Sequence, residues 1–166
     1  NTHNAAHHLM WNLIGSHDTA RILHLCGENK DRQKLCAALQ LLTPGMPMIY
    51  YGDEVAMTGA KDPDCRRGML WDESRQDKDM LSWYKRLLRV RKEIPAITRG
   101  KTVAEEARDK DGLICVTRCL EDDEVTILFH AKEDTISLPA LSGKRNLLTD
   151  NVFDGKVQGI TALVLK

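Results

Sequence analysis

The stretch Asn12-Leu13-Ile14-Gly15-Ser16-His17-Asp18-Thr19 decides how the rest of this chain is read. Its first half is a short apolar run closed by a turn, the pattern of a strand buried on both faces. Its second half sets a histidine beside an aspartate at the strand's carboxyl end, where α/β folds gather the polar groups that meet a ligand. The same pair also suits a plain turn, since an aspartate before a threonine commonly caps a helix. These eight residues alone leave both readings open.

Working outward, Arg21 to Leu25 is a short apolar patch, and Gly27-Glu28-Asn29 is loop with Asn29 or Asp31 placed to cap a helix. From Asp31 to Leu42, Leu35, Leu39 and Leu42 recur at helical spacing with Ala38 beside them. Thr43-Pro44-Gly45 stops that helix, because proline cannot continue it and glycine releases the chain. Met46 to Tyr51 is an apolar run too brief for a helix, with Pro47 tolerable near its start, and Gly52-Asp53-Glu54 ends it. Strand, helix, strand predicts a parallel pair. Upstream, Ala5 to about Met10 fits the last turns of a helix with Asn4 as its cap.

A polar loop from about Met57 to Asp77 follows, long for a compact domain unless it has work to do. It carries carboxylates, guanidinium groups and Trp71, which together suit a polyhydroxylated ligand; a solvated loop whose charges pair with one another is the plainer account. From Asp77 to about Lys92 a helix is expected, with Met80, Tyr84, Leu87 and Arg91 on one stripe, Leu81 and Leu88 widening it, and Trp83 at the margin. Ile94-Pro95 closes it. Beyond Arg99-Gly100 the texture turns β-rich: Leu113 to Thr117 and Val125 to Phe129 flank a hairpin loop at Glu121-Asp122-Asp123. Ile136 to Leu138, Asn146 to Leu148 and Ile160 to Leu165 read as further short strands. The expected division is 1–97 as an α/β unit and 98–166 as a small antiparallel β domain.

Composition bounds the function. The 166 residues are 42% hydrophobic and 29% charged, as in a folded globular protein. Lys plus Arg and Asp plus Glu balance at 24 each, which leaves no electrostatic footprint for nucleic acid or an anionic membrane. The five cysteines are scattered without metal-site spacing, so neither a disulfide framework nor a zinc site is expected, and thiols in a reduced core favour the cytoplasm. No cofactor and no metal are expected.

Three stretches in this order carry a resemblance: Asn12 to Thr19, Gly45-Met46-Pro47-Met48-Ile49-Tyr50-Tyr51-Gly52-Asp53-Glu54, and Asp62-Pro63-Asp64-Cys65-Arg66-Arg67-Gly68-Met69-Leu70-Trp71. With a helix between the first two and a β domain after the third, the sequence resembles the C-terminal part of the α-amylase family of glycoside hydrolases, in its neopullulanase, cyclomaltodextrinase and maltogenic amylase group. The resemblance implies a fold: the C-terminal portion of a (β/α)8 TIM barrel, strands 7 and 8 with their helices, then a small antiparallel all-β domain. It implies retaining hydrolysis of α-glucosidic bonds in maltooligosaccharides, cyclodextrins or pullulan, by a carboxylate nucleophile and a protonated carboxyl acid. A related α-glucosidase or transglycosylase, or an inactive amylase-like binding subunit, would share these stretches.

The same resemblance assigns residues. Asp18 matches the third, transition-state-stabilising carboxylate, and His17 its hydroxyl-binding neighbour. Asp62 and Arg66 match a pair that contacts glucose units on the non-reducing side of the cleaved bond. Gly68 and Ala20 stand where many relatives carry proline. The nucleophile and general acid belong to the fourth and fifth barrel strands, outside this sequence, so Asp53 and Glu54 are not placed in those roles and the segment alone is expected to be inactive. Two strands cannot close a barrel, and their open edges are expected to be covered by local rearrangement or by self-association, the second of which would make a homo-oligomer.

Overall fold

The computed structural model describes residues 9–166, so the helix expected from Ala5 falls largely outside the described residues. Strands β1 (Trp11–Leu13) and β2 (Met46–Met48) pair in parallel, with Trp11 opposite Met46 and Leu13 opposite Met48. A parallel pair needs a crossover, and α1 (Ile22–Leu25) and α2 (Lys30–Leu42) supply it. Asn29 starts α2 by accepting from the amides of Asp31 and Arg32, both at 3.0 Å. The helix is then tied to both strands by one side chain: Gln40 Nε2 donates to the carbonyls of Asn12 (2.9 Å) and Met48 (2.7 Å). Gly45 enters β2 with φ 114°, and a Cβ there would lie 2.7 Å from the Met10 carbonyl and from Asn12 Oδ1. Only glycine fits that approach.

The pair departs from expectation in its burial. Trp11 is 64% and Leu13 50% exposed, because among the described residues the sheet has two strands only and these side chains find little to pack against. The strands are also shorter than the apolar runs that announced them.

Asp77 caps α3 (Lys78–Glu93) by accepting from the Met80 amide at 2.8 Å, and it pairs with Lys30 at the start of α2. Met80, Trp83, Tyr84, Leu87 and Val90 are buried. Trp83 is thus inside rather than marginal, and its Nε1 donates to the Lys34 carbonyl at 2.9 Å. Leu88 is 42% exposed and does not widen the stripe; Val90 and Trp83 do, on the side that faces α2 and the sheet. Arg91 donates to the carbonyls of Leu41, Thr43 and Gly45, satisfying the end of α2 where no cap is available. A short helix α4 (Pro95–Arg99) follows, with proline at its first turn.

The remaining chain forms a four-stranded antiparallel sheet in the order β3 (Lys101–Arg108), β4 (Leu113–Leu120), β5 (Asp123–His130), β8 (Thr161–Leu165), plus a hairpin-like pair β6 (Thr135–Ser137) and β7 (Lys156–Gln158). Strand β5 is covered on both faces. Val125, Ile127 and Phe129 point into the apolar cluster shared with α2, α3 and α4, while Leu128 points into a second cluster with Phe153, Val157 and Leu165. Arg118 donates from β4 to the carbonyls of Ala96 and Gly100, fastening the sheet to α4. The run Asn146 to Leu148 is not a strand: it makes an isolated bridge, and the Asn146 carboxamide accepts from the Leu148 amide at 3.1 Å instead.

Candidate active site at the carboxyl end of the parallel pair

The chain leaves β1 through Ile14 and Gly15 and turns over residues Ser16 to Thr19. Two side chains shape that turn: Ser16 Oγ accepts from the Asp18 amide and Thr19 Oγ1 from the Ser16 amide, both at 3.2 Å. His17 and Asp18 project from it, with Nε2 3.3 Å from Oδ1 and both side chains about two-thirds exposed.

Arg66 reaches this turn from the polar loop, where Asp64–Arg66 forms a single 3-10 turn. Its Nε donates to the His17 carbonyl (3.0 Å) and lies 2.9 Å from Asp62 Oδ1 in an ion pair, and its Nη2 lies 3.6 Å from Asp18 Oδ1. The four residues singled out in the sequence, His17, Asp18, Asp62 and Arg66, therefore meet in one place. Exposed ion pairs alone would be ordinary surface chemistry, worth under about 1 kcal/mol. Here the loop is also anchored from beneath. Cys65 is fully buried, Tyr50 donates to its carbonyl at 3.3 Å, and Tyr51 donates to the Arg67 carbonyl at 2.7 Å. Asp64 accepts from the Ala60 amide and from Arg67, which hold its carboxyl below the usual carboxylate range. Trp71, further along the loop, is 80% exposed.

Beneath the turn lies a pair that the spacing did not single out. Arg21 and Asp53 have no exposed surface. Arg21 Nη1 donates to the Tyr51 carbonyl at 2.7 Å and lies 3.5 Å from Asp53 Oδ1, and the guanidinium sits 4.7 Å from the ring centres of both Tyr50 and Tyr51. Burial pushes the Asp53 carboxyl up to about 7, while the Arg21 charge pulls the other way. A lone arginine heading an apolar patch was the available signal, but an arginine in that setting reads as surface.

The shelf above presents carboxylate oxygens, an imidazole and a guanidinium to solvent, a set that can both donate to and accept from hydroxyl groups. Among the described residues no group of three or more His, Cys, Asp or Glu side chains is placed to hold a metal ion. No helix in the described residues is long and apolar enough to cross a membrane.

The geometry defines a class first: an α/β fold with a cluster of exposed polar groups past the carboxyl ends of parallel strands. Residues 1–82 match the family model described as the α-amylase catalytic domain, and the chain belongs to the α-amylase family of glycoside hydrolases. It is 37% identical over 163 residues to neopullulanase 2 of Thermoactinomyces vulgaris, a match covering 95% of this chain and 28% of that protein. It is 35% identical over 153 residues to a cyclomaltodextrinase of Geobacillus thermopakistaniensis, covering 89% and 26% respectively. The fold matches the Arthrobacter globiformis cyclic α-maltosyl-(1→6)-maltose hydrolase, solved with cyclic α-maltosyl-(1→6)-maltose, at a TM-score of 0.79 and 31% identity, over 96% of this chain and 35% of that one. The chain thus spans about a quarter of the length of the curated relatives it matches.

Proposed function

We propose that this chain is the C-terminal part of a retaining α-glucan hydrolase whose substrates are maltooligosaccharides, cyclodextrins or pullulan. In this reading β1 and β2 are the seventh and eighth strands of a (β/α)8 barrel, residues 1–97 end the catalytic domain, and residues 98–166 form its small antiparallel domain. Asp18 stabilises the transition state and His17 binds a hydroxyl of the same sugar. Asp62 and Arg66 hold glucose units on the non-reducing side. The nucleophile and general acid come from chain outside this sequence.

The observation that carries the reading is the meeting of Arg66 with the His17 carbonyl, Asp18 and Asp62 across nearly fifty residues of chain. Catalysis at a sugar ring needs acceptors whose hydrogen bonds strengthen as the ring gains positive charge. An exposed carboxylate fixed in direction by a histidine and an arginine meets that need. The names of the relatives point to the same substrates, and the free cysteines are in keeping with the cytoplasm.

The test is to assay the full-length parent and the 166-residue segment side by side on cyclodextrin, maltotetraose and pullulan. Glucose or maltose release by the parent and none by the segment is the expected result. Sustained release by the segment, with contaminating amylase excluded, would overturn it.

A further inference from the structure

We infer that Arg21 and Asp53 are positioning residues for the candidate site: a buried ion pair that grips the His17-Asp18 turn at both of its ends. The inference rests on the function proposed above and adds to it two residues that do not touch the sugar.

The segment that carries the turn runs from Gly15, just before it, to Arg21, just after it. At its start, a Cβ on Gly15 would lie 3.0 Å from Asp53 Oδ2, so this carboxylate oxygen is pressed against the backbone from which the turn departs. At its end, Arg21 lies 3.5 Å from the other oxygen of the same carboxylate. One carboxyl group thus meets both ends of the segment that carries His17 and Asp18. Arg21 is itself held on three sides: its amide donates to the Gly59 carbonyl at 2.9 Å, its Nη1 donates to the Tyr51 carbonyl, and the two tyrosine rings lie against its guanidinium. Gly59 lies on the loop that also carries Arg66, so the same anchor reaches both halves of the shelf. Asp53 is fixed in turn from α2, where Gln33 Nε2 donates to its carbonyl at 2.8 Å.

Stability is a poor reason for such a pair. Taking both charges out of water costs more than a loose contact at 3.5 Å returns, and apolar residues of similar size would serve a core as well. Hydrogen bonding is incomplete too: among the described residues, Arg21 Nε and Nη2, Asp53 Oδ2, Gln33 Oε1 and Tyr84 Oη find no partner. A buried polar group left in this condition is what a site requiring one defined geometry retains. The charged and titratable groups facing Asp53 are Arg21 from the turn, Glu54 beside it, and Tyr84 from α3. Glu54 is occupied with the Gly52 amide at 2.8 Å.

The experiment uses the full-length parent with two variants. Asp53→Asn keeps the volume and removes the charge. Gly15→Ala leaves every charge in place and displaces the carboxylate from the other side. Each is expected to lower kcat roughly 10- to 100-fold with KM within about threefold, as a small misplacement of a reacting group does. In each, amide exchange should quicken at residues 17–20 and stay unchanged in α3 and β5. The wild-type kcat should also rise with pH through about 7 as Asp53 ionises, and Asp53→Asn should lack that limb. If Asp53→Asn does not fold, Gly15→Ala decides by kcat, KM and amide exchange. Wild-type kcat and turn exchange in the folded variants would overturn the inference, as would faster exchange spread evenly along the chain. A parent that hydrolyses no glucan would instead refute the proposed function, and the turn exchange would then decide the positioning role by itself.

Discussion

Asp18 and Arg66 show how little of a site's energy needs to lie in the ion pairs that draw attention to it. Their side chains are about 70% and 49% exposed, so the contact at 3.6 Å contributes little to folding. Its value is directional. In the full-length parent, Asp18→Asn is expected to lower kcat by about 100- to 1,000-fold while KM changes far less, the signature of an interaction made chiefly in the transition state. Steady-state kinetics on maltotetraose checks this, and equal losses in kcat and affinity would make Asp18 a binding residue only. Arg66→Lys keeps the charge but cannot reach the His17 carbonyl, Asp18 and Asp62 together, because an ammonium lacks the planar fork of donors. It should raise KM severalfold and shift the unfolding free energy by less than about 1 kcal/mol in a urea titration. At this scale the exposed half of the candidate site was legible as a grouping, since His17, Asp18, Asp62 and Arg66 lie in stretches whose order is distinctive and do meet. The buried half was not: nothing in the spacing of Arg21 and Asp53 says that either is inside.

The elements divide by how openly their sequence advertises them. Helix α2 carries apolar residues at helical spacing and a cap in the expected place, and Asn29→Ala should destabilise the protein by about 1 kcal/mol, read from the urea midpoint. Strand β3 was not visible at all. Lys101 to Arg108 is exposed along nearly its whole length at the edge of its sheet, and its charged residues follow no alternation, so the pairing with β4 alone makes it a strand. The apolar run Asn146 to Leu148 misled in the opposite direction, because a buried asparagine ties it into a turn. A further consequence concerns Asp53 and the junction of α2, α3 and β2 around it. Its carboxyl is raised from 3.8 to about 7 by burial. The native protein therefore keeps a proton that the unfolded chain gives up between those values, so this group's contribution to stability is complete below about pH 4 and is lost as pH rises toward 7. A shift of that size corresponds to about 4 kcal/mol at most. Asp53→Asn cannot titrate, so its melting temperature relative to wild type should improve steadily from pH 4 to 7; a constant difference across that range would mean that Asp53 ionises normally. Ionised Asp53 would then serve the turn at the expense of the fold.

For the whole molecule, the decisive feature is the imbalance between its two sheets. The antiparallel sheet has a covered central strand and two apolar clusters, while the parallel pair has two strands, open edges and apolar side chains facing outward. Trp11, Leu13 and Met46 are 64%, 50% and 46% exposed, and they lie close together because Trp11 is registered with Met46. Fully burying one such side chain is worth about 1.5–3 kcal/mol, so covering what remains exposed on all three is worth a few kcal/mol. Association costs several kcal/mol of lost freedom, which leaves a weak self-contact, strengthened where β1 or β2 pairs edge to edge with its counterpart in a second copy. The 166-residue segment is thus expected to self-associate weakly, only toward the high end of a concentration series, and to separate on dilution. Sedimentation velocity across that range checks it, and Leu13→Lys should shift the distribution toward monomer without changing the helix signal in circular dichroism. In the full-length parent, where neighbouring barrel strands would cover the same residues, Leu13→Lys should instead lower stability by several kcal/mol, because a charge placed between packed strands has no partner. A segment that stays monomeric at high concentration, or a parent indifferent to lysine at this position, would mean that the exposed face of β1 is a true outer surface and that β1 is not an inner strand of a closed barrel.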